Sequence, residues 1–174
     1  MGTSLPRLTA PVRGRRSSGF TILELLILMA VLGIAASFGI PSYFARPDVT
    51  LNSAAELLAS DLREVGGRAA VYRQELWLRF DEDGGGYSAT DRSGQVLVSP
   101  YGAGAYVRRY DFDAVFRGVT IEALEPATPR SVTFDPTGTV SRSIAVTIGY
   151  EGETRVVTLA AQSGLVTVSE GPGR

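Results

Sequence analysis

Three reactive side chains are missing from this chain of 174 residues. There is no cysteine, which rules out a disulfide framework and a thiolate metal site. There is no histidine, which removes the usual general base and the commonest metal ligand. Lysine is absent too, because all 17 basic residues are arginine. A lysine nucleophile and the lysine of a phosphate-binding P-loop are thereby excluded. Carboxylate, Ser/Thr or Tyr chemistry is all that remains. Asp111 and Asp113 are a carboxylate pair of the sort glycoside cleavage uses, yet nothing beyond a loop marks them. The chain reads as a non-enzyme, with no cofactor and no metal.

What is present is unevenly spread. Arg7, Arg13, Arg15 and Arg16 precede Gly19, and that stretch holds no acid. From Phe20 onward, 13 arginines face 18 acids, a net charge of −5. A basic tip before an acidic body is the pattern of a cytoplasmic leader and an exported remainder. Twenty glycines and nine prolines suggest many turns, as in short-stranded β structure.

Between Phe20 and Ile40 only Thr21, Glu24 and Ser37 are polar. As a helix this run would be about 31 Å long, close to the hydrocarbon thickness of a bilayer. Arginines on its N-terminal side alone predict that this end stays in the cytoplasm and that the domain after Pro41 lies beyond the membrane. Two plainer readings are a cleaved secretory signal, with small residues at "GIAAS" (33–37), and a simple signal anchor. Glu24 suits neither, because an acid in a membrane helix calls for a partner. A cut between Gly19 and Phe20 would supply one, setting a new ammonium one helical turn from the carboxylate.

The stretch "GFTILELLILMAVLGIAA" (19–36) resembles the class III signal of type IV pilins and type II secretion pseudopilins. Gly19, Phe20 and Glu24 match it residue by residue. The resemblance implies cleavage by a prepilin peptidase after Gly19, N-methylation of Phe20, and pairing of Glu24 with a neighbouring subunit's ammonium to set register. Pro41 matches the helix-bending proline that follows the apolar run in this family. The expected partners are the prepilin peptidase, other major and minor pseudopilins and the inner-membrane assembly platform. The expected location is the bacterial inner membrane, crossed once, with the β domain in the periplasm.

Further along, Leu51, Ala55, Leu58, Leu62, Val65, Ala69 and Tyr72 recur at spacings of four and three, one apolar stripe on a helix. Asp61 falls among the charged residues elsewhere on its circumference. Ser53 and Glu56 read as a capping box, with Pro47 breaking the chain before it. The family instead implies one long helix from Phe20 to about Tyr72, bent at the prolines. Gly66-Gly67 softens its end. Beyond Gln74 the period becomes alternating. Strands are predicted at 75–80, 87–90, 95–98, 105–110 and 119–124. A hairpin over 131–143 turns at Asp135-Pro136-Thr137-Gly138, a second over 144–160 turns at Glu151-Gly152, and 164–169 closes the fold.

The expected fold is α+β: a long N-terminal transmembrane helix packed on a small antiparallel β-sandwich, as in pilins. The divisions are a leader over 1–19, a membrane and filament-core helix over 20–40, an amphipathic continuation over 41–73, and a periplasmic β domain over 74–174. Asp61-Leu62-Arg63, Phe134-Asp135-Pro136 with Gly138, and Gly164 with Val166 resemble the GspH/FimT-like minor pseudopilins. Gly66-Gly67-Arg68 departs from that pattern, where Ala-Arg is usual. The function implied is a minor pseudopilin of type II secretion, with a FimT-like minor type IV pilin as the alternative. For DNA, the best local contact is Arg108 and Arg109 beside Tyr106 and Tyr110. The acidic body and an Arg-poor C-terminus argue against nucleic acid as a partner. The acidic turn "FDEDGGGY" (80–87) reads as a solvated hairpin tip rather than a calcium loop.

Overall fold

In the computed structural model, which describes residues 21–44 and 47–172, two helices come first. Helix α1 runs from Ile22 to Phe44 and α2 from Pro47 to Tyr72. Ala45 and Arg46 lie outside the described residues, and with them the continuity between the helices. Pro41, where a bend is expected, falls within the bounds of α1, and the chain parts into two units between Ile40 and Pro41. Pro47 opens α2, where its fixed φ suits a helix and its missing N–H has no bond to lose. Ser53 and Glu56 lie well inside α2, so they are not a capping box; Asp48 supplies the first-turn carboxylate. The helix ends at Arg73, whose φ of 52° lets the Gln74 N–H donate to the Ala69 carbonyl at 3.1 Å.

The stripe read from the sequence is the face that α2 buries. Leu51, Ala55, Leu58, Leu62, Val65 and Ala69 are at most 1% exposed, whereas Tyr72, in the last turn, is 68% exposed. Each buried Leu contributes about 2 kcal/mol relative to leaving it in water. Ala54, Ala59 and Asp61 are buried as well. The face is wider than one stripe because α2 is covered from two sides. It packs on strands of both sheets.

Among the described residues there are eight strands in two antiparallel sheets. The strands are β1 (Leu76–Phe80), β2 (Gly86–Asp91), β3 (Val107–Arg109), β4 (Thr120–Glu125), β5 (Ser131–Phe134), β6 (Ile144–Tyr150), β7 (Glu153–Leu159) and β8 (Val166–Glu170). The first sheet has the order β3-β2-β1-β5 and the second β4-β6-β7-β8. The β6–β7 hairpin turns as predicted, with Glu151 and Gly152 both at positive φ, 49° and 88°. That twist matches the strands it joins.

Two predicted strands fail. Residues 95–98 make only isolated bridges, Thr90 with Val96 and Val98 with Ala105, and both valines are exposed. Only Leu97 of this segment packs against the core. In the predicted 131–143 hairpin only β5 is a strand; the returning arm is irregular and leads into β6 of the other sheet. The 105–110 segment is a strand only over β3; Tyr110 to Phe112 form a short 3₁₀ turn.

Gly66 is a contact point rather than a soft spot. Gly138, at φ 83°, brings its backbone against it: a Cβ on Gly138 would meet the Gly66 carbonyl oxygen at 2.5 Å. A Cβ on Gly67 would meet nothing within 4 Å. Gly138→Ala is therefore expected to destabilise the protein by about 2 kcal/mol or more through strain and overlap. Gly67→Ala should stabilise it by about 1 kcal/mol. Thermal unfolding of the two variants checks this, and equal midpoints would contradict it.

Candidate assembly site

The first turn of α1 carries its own cap. The Glu24 N–H donates to Thr21 Oγ1 at 3.2 Å and the Leu25 N–H to the Thr21 carbonyl at 3.1 Å. Thr21 and Glu24 have the spacing of a capping box, a signal that the sequence reading passed over. Glu24 thus stands where the helix dipole favours a negative charge. Around it, from Ile22 at 82% to Ile34 at 62%, the large apolar side chains are exposed. Gly19 and Phe20 lie outside the described residues. Among the described residues no helix is long and apolar enough to cross a membrane, so the membrane-spanning expectation for Phe20 to Ile40 stays with the sequence.

In the globular unit, Asp61 contradicts its place on the polar circumference. It is 0% exposed. Tyr87 Oη, on β2, donates to its Oδ2 at 2.8 Å, and Arg108 Nε, on β3, donates to the same oxygen at 3.0 Å. Tyr106 and Tyr110 are buried beside β3. Burial, then Tyr110 and then Asp61, push the Tyr87 hydroxyl well above the ordinary tyrosine range. Tyr106 and Tyr110 are also raised, chiefly by burial.

Two residues along, Arg63 Nη2 donates to the Val166 carbonyl on β8 at 3.0 Å. The segment Asp61-Leu62-Arg63 therefore ties α2 to the first sheet, the core and the second sheet in turn. The turn after β5 is self-contained. Asp135 Oδ1 accepts from Thr137 Oγ1 at 2.5 Å and from the backbone N–H groups of Thr137 and Thr139 at 2.8 and 3.1 Å. The Thr137 hydroxyl, with the other donors around it, lowers the Asp135 carboxyl to about 2. Gly164, at φ 64°, precedes Val166 in the same region, with the Gly138 carbonyl oxygen 3.9 Å from where its Cβ would stand. The three short motifs read separately in the sequence converge on the junction of α2, the β5 turn and β8.

Arg109 draws the acidic loop together. It pairs with Asp83 at 3.0 Å, Asp111 at 3.4 Å and Asp81 at 3.5 Å. Gly84, Gly85 and Gly86 are buried, and the Gly84 carbonyl accepts from the Ile121 N–H at 2.8 Å. The "FDEDGGGY" loop is thus folded onto β3 and β4, not a free hairpin tip. Arg108 and Arg109, the candidate DNA contacts, are adjacent but engaged with separate carboxylates.

No family model matches the chain. Over 96 residues, 55% of its length, it is 27% identical to the type II secretion system core protein G of Klebsiella pneumoniae, of which it spans 61%. Among solved structures, the type IV minor pilin FimU of Pseudomonas aeruginosa aligns with a TM-score of 0.48 at 23% identity, over 70% of this chain and 88% of that one. The minor pseudopilin EpsH from the type 2 secretion system of Vibrio cholerae aligns with a TM-score of 0.45 at 15% identity, over 69% and 96%.

Within the globular unit the buried cluster around Asp61 contributes to stability. Arg108→Ala would leave the Asp61 carboxylate buried without its cation and should cost about 3–5 kcal/mol in denaturant unfolding. The raised tyrosines act at the other end of the pH scale. Their folded pKa values lie above the unfolded value of about 10, so the stability they give is whole below pH 10 and is lost as pH rises beyond it. Urea unfolding between about pH 8 and pH 11 should show that fall, and Tyr87→Phe should flatten it. A flat wild-type profile would count against the cluster.

Proposed function

We propose that this chain is a minor pseudopilin of a type II protein secretion system, built into a periplasmic pseudopilus through its N-terminal helix. The observation that carries this reading is the first turn of α1, a lone carboxylate at Glu24 among exposed apolar side chains. Such a surface needs cover, from lipid before assembly and from other helices after it. Exchange between the two is tolerable because the neighbouring helices are as apolar as the lipid they replace.

In this reading the prepilin peptidase cuts after Gly19 and Phe20 is N-methylated. The ammonium of one subunit then meets Glu24 of the next. Such a pair gives little net stability, but leaving the carboxylate unpaired is costly, which selects one register over others. Pro41 would bend the helix as it leaves the membrane. The leader stays in the cytoplasm, the β domain faces the periplasm, and the assembly platform of the inner membrane feeds subunits to the filament. Type II secretion is preferred to a FimT-like pilus or DNA-uptake role because DNA needs free cations. Arg108 and Arg109 already face carboxylates.

The test is secretion in a strain lacking this gene. Exported proteins should accumulate in the periplasm, wild type should restore their release, and Glu24→Val should be inserted and cleaved without restoring it. Untouched secretion would hand the assignment to the pilus reading. Normal filament entry by Glu24→Val would sink the register role.

A further inference from the structure

The hairpin expected over 131–143 opens into a fork whose outer strand edge is left unpaired among the described residues. Its turn is closed, with the Asp135 N–H donating to the Thr139 carbonyl at 2.9 Å and the Gly138 N–H to the Asp135 carbonyl at 2.8 Å. Beyond the turn the arms separate. β5 stays on β1, with Arg79 opposite Ser131 and Trp77 opposite Thr133. The other arm is drawn away: the Gln162 N–H donates to the Val140 carbonyl at 3.0 Å and the Ala161 N–H to Ser143 Oγ at 2.9 Å. Between the arms lies a cavity of about 200 Å³, lined by Ser131, Thr133, Val140, Ser141, Arg142 and Ile144.

Backbone polarity decides what this cavity can hold. The Phe80 N–H donates to the Arg130 carbonyl at 2.9 Å, so Arg130, Val132 and Phe134 are the residues that bond β1. The N–H and C=O groups of Ser131 and Thr133 therefore point the opposite way. That is the side on which Asp135 bonds Thr139, and hence the side of the fork. β5 is an edge strand, and among the described residues no strand pairs with its outer side. Val140 and Ile144, 3% and 5% exposed, make the floor apolar. Arg142 is the only charged side chain in the lining. It donates to the Thr128 carbonyl at 3.5 Å, and none of the ion pairs among the described residues includes it.

We propose that the fork is a strand-addition site for an extended, acidic segment of a partner protein. The segment lies along the outer edge of β5 and exchanges backbone hydrogen bonds with Ser131 and Thr133, while its carboxylate meets Arg142. An edge that offers alternating N–H and C=O groups is matched by another extended chain; a helix keeps its own backbone groups occupied. Charge selects the sequence, because a basic segment would face Arg142 with no anion between them. This inference does not depend on the secretion reading.

The probe is a synthetic peptide of about ten residues, enough to span an edge strand, alternating Thr and Val around a central Asp. A second peptide carries Arg in its place. Each is added at up to millimolar concentration to isotope-labelled full-length protein in detergent, and amide hydrogen exchange is followed residue by residue. The Asp peptide should slow exchange at Ser131 and Thr133 roughly tenfold and bind about fivefold more tightly than the Arg peptide, the upper range for an exposed ion pair. Arg142→Glu should reverse that preference. Thr133→Pro removes one outward N–H and leaves the β1 ladder whole, so it should fold and yet lose the protection at Ser131. No protection at these two amides, equal binding of both peptides, or protection that survives Thr133→Pro would overturn the proposal.

Discussion

One buried carboxylate fixes how the globular unit is put together. Asp61 sits on the inward face of α2 with none of its surface in water, and its partners come from two strands of the first sheet. Apolar contacts along α2 would tolerate small rotations and slides, because Leu, Val and Ala side chains adapt to one another. A carboxylate does not tolerate them. Moved away from Arg108 and Tyr87 it would be a bare charge in low dielectric, at a cost of several kcal/mol. Arg63, two residues on, then grips β8 of the other sheet. The pair of polar contacts sets the helix against both sheets at once.

The same physics operates at the other end of the chain with the partner left outside. Glu24 is a single acid in an apolar helix, as Asp61 is a single acid on a buried face. Asp61 has its cation within the fold. In the filament reading Glu24 waits for one from a neighbouring subunit. A charge that is costly unpaired makes a poor glue and a good gauge, and the chain uses that property for folding and, as proposed, for assembly.

An arginine-only complement of cations suits this arrangement. Arg109 spreads one guanidinium across Asp81, Asp83 and Asp111, which a compact ammonium on a flexible stem does less well. Arg68 pairs with Glu64 along α2, its guanidinium over the Tyr106 ring, and also reaches the Val98 carbonyl, holding the irregular segment between β2 and β3. Many cations of the acidic body are thus spent on internal geometry. That is why an arginine pair that looks like a nucleic-acid contact in the sequence is part of the scaffold.

Short-range chemistry and periodicity could be read directly from the residues. The apolar stripe of α2, the Glu151-Gly152 turn and the Asp135 to Gly138 turn were legible because each depends on residues within a turn or two of one another. The apolar run with its lone acid was legible for the same reason. Contacts between distant segments set the rest. Asp61 looked like a solvated charge because its cation is 47 residues away on β3. Gly66 looked like a weak point because the backbone that needs its missing side chain belongs to Gly138. Tyr72 fitted the stripe but lies in an exposed last turn, and the second arm of the 131–143 hairpin bonds Ala161 and Gln162 instead of β5. In each case the deciding neighbour is distant along the chain, and a local pattern carries no information about which element the fold will bring opposite.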